Sequence, residues 1–276
     1  MIADSAFAIG KRHEVCQDYT QTEIDGGWAR AFVSDGCSSS KDSDIGSRLL
    51  VLSAKQSIRA MLDSGADPFS ADPNDMGLIA ISGAMMSAKV LDLPLETLDA
   101  TLLSIVTNGE QVILSAFGDG VLVLTWDNSR RRCVDIEFSN GYPDYLSYRI
   151  DKDRRAKYDK LYQGGIARIS EYGVVEETKG IELHRAYEET FHCVWGTNRL
   201  VAAAVLSDGV RSFYKRSESG ANEPVPLDEV LGNLLDFKLF SGRFVQRRLN
   251  RFLKDAAARG WEHHDDIAVA AIYFGE

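Results

Sequence analysis

The chain is poor in the residues that staple, break or anchor a fold. Of 276 residues only 4 are cysteine and 6 are proline. Cys16, Cys37, Cys133 and Cys193 contain no Cys-x-x-Cys pair, which removes support for a structural zinc site or a thioredoxin-like motif. Cysteines this sparse exclude a disulfide scaffold and favour reduced thiols in a cytoplasmic protein. No apolar run approaches the length a bilayer demands. The start, Met1-Ile2-Ala3-Asp4, lacks a basic segment followed by an apolar one, so no signal peptide is expected. No Pro/Gly/Ser-rich linker and no solenoid-length repeat divides the sequence, which predicts one domain over residues 1–276. Positive charge is also short. Lys and Arg number 31 against 41 Asp and Glu, a net charge of −10. Such a chain is a poor binder of nucleic acid or anionic membrane, because phosphate contacts need positive surface.

What is present is ordinary globular composition, 45% hydrophobic and 26% charged. A chain of this length buries a core without staples. Ser5 to Ile9 and Ala29 to Val33 read as strands separated by a polar segment from Lys11 to Gln17. Ile45, Leu49, Leu52 and Ile58 sit near helical spacing, with Asp44 in the first turn. A second helix is expected from Asp72 as N-cap and Pro73 as first helical residue to about Leu91. Ala100 to Thr107, Gln111 to Phe117 and Val121 to Trp126 follow, joined by Asn108-Gly109 and Gly118-Asp119-Gly120. They predict a three-stranded antiparallel meander, against a parallel Rossmann-type sheet. Residues 139–197 hold seven of the ten tyrosines and a charged run. This region reads as two or three strands interrupted by an insertion, serving either as a substrate-recognising flap or as ordinary packing. Leu200 to Leu206 is an apolar strand, Gly242 to Arg259 an amphipathic helix with a basic outer face, and Asp266 to Phe274 a closing strand.

One pattern recurs at strand ends. Val33-Ser34-Asp35-Gly36, Phe117-Gly118-Asp119-Gly120 and Leu206-Ser207-Asp208-Gly209 each place an Asp after an apolar strand, followed by Gly. Cys16-Gln17-Asp18 precedes the second predicted strand, and Asp265-Asp266 opens the last. A single Asp-Gly is usually a turn. The repeated set is not explained by turns, and a strand end can aim a carboxylate at a cleft while the strand stays rigid. Carboxylates that meet remain ionised together only when cations neutralise them. Oxygen ligands favour hard cations such as Mg²⁺ or Mn²⁺, and two such ions form a phosphoryl-transfer centre. His263-His264 beside Asp265 leaves a mixed His/Asp site as a minor alternative.

In this order the motifs resemble those of the metal-dependent protein phosphatases of the PP2C family, over nearly the whole chain. Gly10 to Asp18 is similar to the family's N-terminal motif, Ser34-Asp35-Gly36 to its Asp-Gly, Gly118-Asp119-Gly120 to its Gly-Asp-Ser, Ser207-Asp208-Gly209 to its Ser-Asp-Gly, and Asp265-Asp266-Ile267 to its final Asp-Asp/Asn. The resemblance implies an α+β fold, an α-β-β-α sandwich of two antiparallel sheets flanked by helices. It implies two Mn²⁺ or Mg²⁺ ions, with a weaker third. Asp35 would bridge the pair with the Gly36 carbonyl on one of them, Asp208 and Asp265 would complete the other site, Asp18 would hold metal-bound waters, and Asp119 with Asp208 would take the third ion. The implied reaction is attack of a metal-bridging hydroxide on phosphoserine or phosphothreonine, with a phosphorylated protein as substrate and a kinase system as its counterpart. Two positions depart from the family. Its phosphate-binding Arg is matched by His13, with Arg12 beside it, so either residue is a candidate for the phosphate. Cys37 stands where some members carry a His after the Asp-Gly. These departures keep open a pseudophosphatase acting as a binding module, and a phosphatase for small phosphoesters.

Overall fold

The computed structural model describes residues 1–127, 130–138, 141–161, 167–173, 190–216 and 221–275, with 167–173 described by its backbone. Two antiparallel sheets lie face to face. The first holds β1 (Ile2–Ala8), β6 (Gly120–Trp126), β7 (Arg131–Phe138), β8 (Ala167–Gly173), β10 (Leu200–Leu206) and β14 (Ile267–Tyr273), in the order β1-β14-β10-β6-β7-β8. The second holds β2 (Tyr19–Asp25), β3 (Trp28–Ser34), β4 (Leu102–Thr107), β5 (Gln111–Phe117) and β9 (Phe191–Gly196), in the order β2-β3-β4-β5-β9. A small third sheet joins β11 (Phe213–Arg216), β12 (Asn222–Pro224) and β13 (Trp261–His263).

The alternation of side chains along each strand explains the layers. On β4, Leu103 and Ile105 enter the core between the sheets, together with Leu122 and Leu124 of β6 and Ala268, Ala270 and Ile272 of β14. The intervening residues face outward and are also buried. Leu102 and Val106 lie under α1 (Ser43–Asp63) and α2 (Pro73–Val90) through Leu50, Val51, Ile58 and Ile81. Val121, Val123, Val269 and Ala271 lie under α5 (Leu227–Leu234) and α6 (Phe244–Ala258) through Val230, Leu249 and Phe252. Burial on both faces is why these antiparallel strands read as continuous apolar runs. Each fully buried Leu, Ile or Phe contributes roughly 1.5–3 kcal/mol. The result is the expected α-β-β-α sandwich. Among the described residues no helix is long and apolar enough to cross a membrane.

Two expectations need correction. The three-stranded meander is a two-stranded hairpin, β4 with β5, after which the chain leaves for the other sheet, where β6 pairs with β10 and β7. Gly118-Asp119-Gly120 is therefore a crossover between sheets. Local turn chemistry resembles a hairpin, but pairing with β10, some eighty residues later in the chain, decides where β6 lies. The early part of 139–197 is also helical, with α3 (Leu146–Arg149) and α4 (Lys152–Leu161), before β8 and β9 supply strands. Its Tyr162 and Tyr187 lie outside the described residues. β2, β7 and α5 are elements that the sequence pattern does not predict.

Candidate active site

The ends of both sheets open onto one cleft of about 900 Å³. Asp35 follows β3, Asp119 sits in the β5–β6 crossover, Asp208 follows β10 and Asp265 precedes β14; all four line the cleft, as do Gly36 and His13. Strand ends are suited to this task, because the ladder behind each carboxylate is packed in the core. Asp35 is pinned on both sides of its peptide: its N–H donates to Thr101 Oγ1 at 3.0 Å, and its carbonyl accepts from the Thr101 N–H at 2.9 Å. Gly36 is required by close packing, since a Cβ there would lie 2.5 Å from the Ser43 carbonyl oxygen. Gly209 is required for the same reason, with the Asp266 carbonyl against it.

Adjacent Asp265 and Asp266 divide the labour. Asp265 faces the cleft. Asp266 is buried and accepts the N–H of Gly10 at 2.7 Å and of Gln17 at 2.6 Å, tying the N-terminal loop to β14. Asp18 lies buried and is not among the cleft-lining residues. Its Oδ2 accepts from Ser207 Oγ at 2.5 Å, and Ser207 Oγ in turn accepts the Ala268 N–H at 2.8 Å.

The electrostatics follow from carboxylates gathered without enough positive charge. Burial holds the carboxyls of Asp18 and Asp35 well above the usual range. The charges of Asp266 and Asp208 add to the rise at Asp18, and those of Asp18 and Asp208 at Asp35. Asp119 is pushed up to about 8, by burial first and by Asp208 next, against the pull of Arg211. Asp265 is raised by burial and then by Asp208. Cys16, near Asp266 and Asp18, is pushed up to about 12, mainly by burial, and so stays a protonated thiol.

Does this donor set suit divalent cations? Among the described residues, no three His, Cys, Asp or Glu side chains stand as a group able to hold a metal ion. The chemistry of the cleft nonetheless fits hard cations. Asp35, Asp119, Asp208 and Asp265 offer carboxylate oxygens to it, and Asp18 Oδ1 and Asp208 Oδ1 are buried without a hydrogen-bond partner. Such oxygens are costly unless something positive faces them.

His13 and Arg12 are separated by the structure. His13 lines the cleft, with Nε2 3.5 Å from Asp265 Oδ1 and Nδ1 2.9 Å from Asp266 Oδ2. Arg12 is exposed and is not part of the cleft lining. His263 and His264 turn elsewhere: His263 Nδ1 lies 2.9 Å from the Asp265 carbonyl, and His264 packs on Tyr214.

Several cleft residues escaped the sequence reading. Arg211, three residues after Asp208, hydrogen-bonds Asp135 and the Ile136 carbonyl and lies 3.9 Å from Asp208. The opposite wall is made by α3 and α4. Arg154 Nη2 reaches both oxygens of Asp99 at 2.7 Å, and Asp99 also accepts from Ser147 Oγ at 2.5 Å and Ser40 Oγ at 3.0 Å. Tyr148 stacks on Tyr158 at 4.8 Å with Arg154 over its ring. Tyr145 is buried beside Cys37, Asp35 and Asp119, and burial first holds its phenol well above its ordinary value, so it remains a donor. The abundance of tyrosine was the one sequence signal for this wall.

Residues 9–140 match the family model described as Protein phosphatase 2C. The serine/threonine phosphatase Stp1 from Staphylococcus aureus is similar in structure with a TM-score of 0.61 at 10% identity, covering 100% of this chain and 96% of that one. The S. agalactiae serine/threonine phosphatase gives 0.51 at 13% identity, covering 98% of each chain. The Toxoplasma gondii serine-threonine phosphatase 2C gives 0.51 at 15%, covering 99% of this chain and 94% of that one. No curated protein matches in sequence. At these identities the structural likeness speaks for the fold. The family match is thus confined to residues 9–140, while the likeness to these phosphatases in fold extends over the whole chain.

Proposed function

We propose that the chain is a metal-dependent phosphoprotein phosphatase that hydrolyses phosphoserine and phosphothreonine, acting as a single cytoplasmic domain opposite a kinase system. The observation that carries this reading is the convergence of four strand-end aspartates from separate chain segments on one cleft, with charge the protein itself does not balance. Asp35, the Gly36 carbonyl, Asp208 and Asp265 would hold two Mn²⁺ or Mg²⁺ ions, and Asp119 with Asp208 a third. Bound there, the ions would supply an activated water and offset the charge of the phosphate. The chain's own residues do the rest. Asp18, fixed by Ser207, supports the carboxylate cluster from beneath and orders water at it. His13 donates to a phosphate oxygen from the cleft wall when protonated. Tyr145, protonated and next to Cys37, offers a hydrogen bond where some family members have a histidine. The binding-module alternative is not favoured, because every carboxylate the chemistry asks for is present.

The test is hydrolysis of a phosphothreonine peptide and of p-nitrophenyl phosphate, with Mn²⁺, Mg²⁺ and EDTA compared. Turnover that depends on the cation and stops with EDTA is expected. No turnover of either substrate with either cation would overturn the reading.

A further inference from the structure

A second cavity, of about 220 Å³, lies at the opposite ends of β6 and β10 from the cleft. Trp126, Val201, Phe237 and Phe240 line it, together with Arg131, Asp127 and Asp236. β6 runs from Gly120 at the cleft to Trp126 here, about 20 Å at 3.3 Å per residue, so the two sites are separate.

Its lining holds two carboxylates and one guanidinium, and both carboxylates have cationic partners outside it. Asp127 is paired with Arg199 at 2.8 Å, and Asp236 with Lys238 at 2.9 Å. Arg131 has no carboxylate partner among the described residues. Its Nη1 and Nη2 reach the Leu231 and Leu235 carbonyls at the end of α5 at 3.5 and 3.3 Å, long for hydrogen bonds. Burial lowers its proton affinity and Asp236 partly restores it. The backbone is irregular at the same place. Leu200 pairs with Trp126 and Ala202 with Thr125, so Val201 is an extra residue in β10, and its carbonyl accepts from the Phe274 N–H at 3.0 Å. Bulges of this kind recur beside sites, where they re-aim the chain.

The volume equals about seven waters at 30 Å³ each, smaller than the pockets of drug-sized ligands. We propose that this cavity binds a small organic carboxylate, with the carboxylate on Arg131 and a short apolar or aromatic body against Trp126 and Phe240. Guanidinium and carboxylate match as a charge-assisted pair, and the flat aromatic walls accept the body.

The test uses the full chain labelled with ¹⁵N, following the Trp126 indole N–H, assigned with Trp126→Phe, during titration with sodium benzoate, with uncharged benzamide and with sodium chloride. Benzoate is expected to give a saturable shift in the millimolar range, with benzamide about tenfold weaker because it lacks the charge. Arg131→Gln should weaken benzoate by a similar factor, and Arg131→Lys should keep part of the affinity. If Arg131→Gln fails to fold through loss of its α5 contacts, benzoate against benzamide on the unmodified chain still decides. Equal shifts with benzoate and benzamide, a benzoate shift that does not saturate, or the same shift with chloride would overturn the proposal.

Discussion

The floor and the wall of the cleft are built in opposite ways. The floor is made of carboxylates on strand ends: Asp35, Asp208 and Asp265 line it with Asp119 and, beneath, Asp18, and the charge of Asp208 raises the proton affinity of the other four. The wall is made of short helices in which Arg154 is paired with Asp99 and Arg155 with Asp144 and Asp159. Such paired charges are a structural device. A floor that gathers negative charge is costly, and the cations proposed above would offset that cost. The difference teaches where function lies: substitutions on the floor should remove activity and spare the fold, and substitutions in the wall should do the reverse.

The largest effect should come from Asp208→Asn. The change keeps shape and removes one of the charges proposed to hold the cations, so turnover at saturating Mn²⁺ should fall more than about 10²-fold. Because Asp208 repels Asp35, Asp119 and Asp265, the cation-free variant should melt no lower than the unmodified chain. Near-normal turnover, or an unfolded variant by circular dichroism, would break the comparison.

Stability against pH sharpens it next. Asp119 has its folded-state pKa raised from 3.8 to about 8, so between these values the native state holds more protons than the unfolded chain. Stability of the protein in EDTA should therefore be greatest at the acid end and fall as pH rises across this window. Asp18 and Asp35 act in the same direction. Mn²⁺ should remove most of that fall by replacing the protons, with its largest gain in Tm near pH 8. A Tm in EDTA that rises steadily from pH 5 to 8 would contradict the picture of an uncompensated floor.

On the wall, Asp99→Ala removes the acceptor shared by Arg154, Ser147 and Ser40. Loss of about 2 kcal/mol is expected, moderated because Arg154 is partly exposed. Denaturant unfolding measures this, and p-nitrophenyl phosphate turnover should stay within about threefold, since the carboxylates proposed to hold the metals are untouched. Loss of turnover without loss of stability would assign the wall a part in the chemistry.

The smallest effect separates His13 from Arg12. His13→Ala should raise KM for a phosphopeptide several-fold, since its ring lines the cleft. Arg12→Ala, on an exposed side chain outside the cleft, should leave both KM and kcat nearly unchanged. Steady-state kinetics between pH 6 and 8 decide between the two, and a reversed ranking would move the phosphate to the cleft's outer rim.

Much of the candidate site was legible because its residues follow local rules. An apolar strand closed by Ser-Asp-Gly needs only a short window to be seen, and so does the Asp72-Pro73 start of α2, where the Asp72 side chain accepts the Asn74 N–H. The wall was not legible. Lys152–Leu161 is highly polar, with a single buried residue, Tyr158, so no apolar period marked it as a helix.

By itself, then, the sequence determined the strand-end carboxylates, the apolar runs that become doubly buried strands, and the family to which their order points. Tertiary structure alone decided that Gly118-Asp119-Gly120 crosses between sheets, because β6 finds its partners in β10 and β7. It also decided that Asp266 anchors while Asp265 faces the cleft, since only the folded chain brings the Gly10 and Gln17 amides to one carboxylate and not the other. The same holds at α6, where no residue of its own caps the first turn and Asp4 of β1 accepts the Val245 and Gln246 N–H groups. Local patterns depend on neighbours in the chain and can be read in order. Partners brought together from opposite ends of the chain depend on how the layers pack, and no window of sequence contains both.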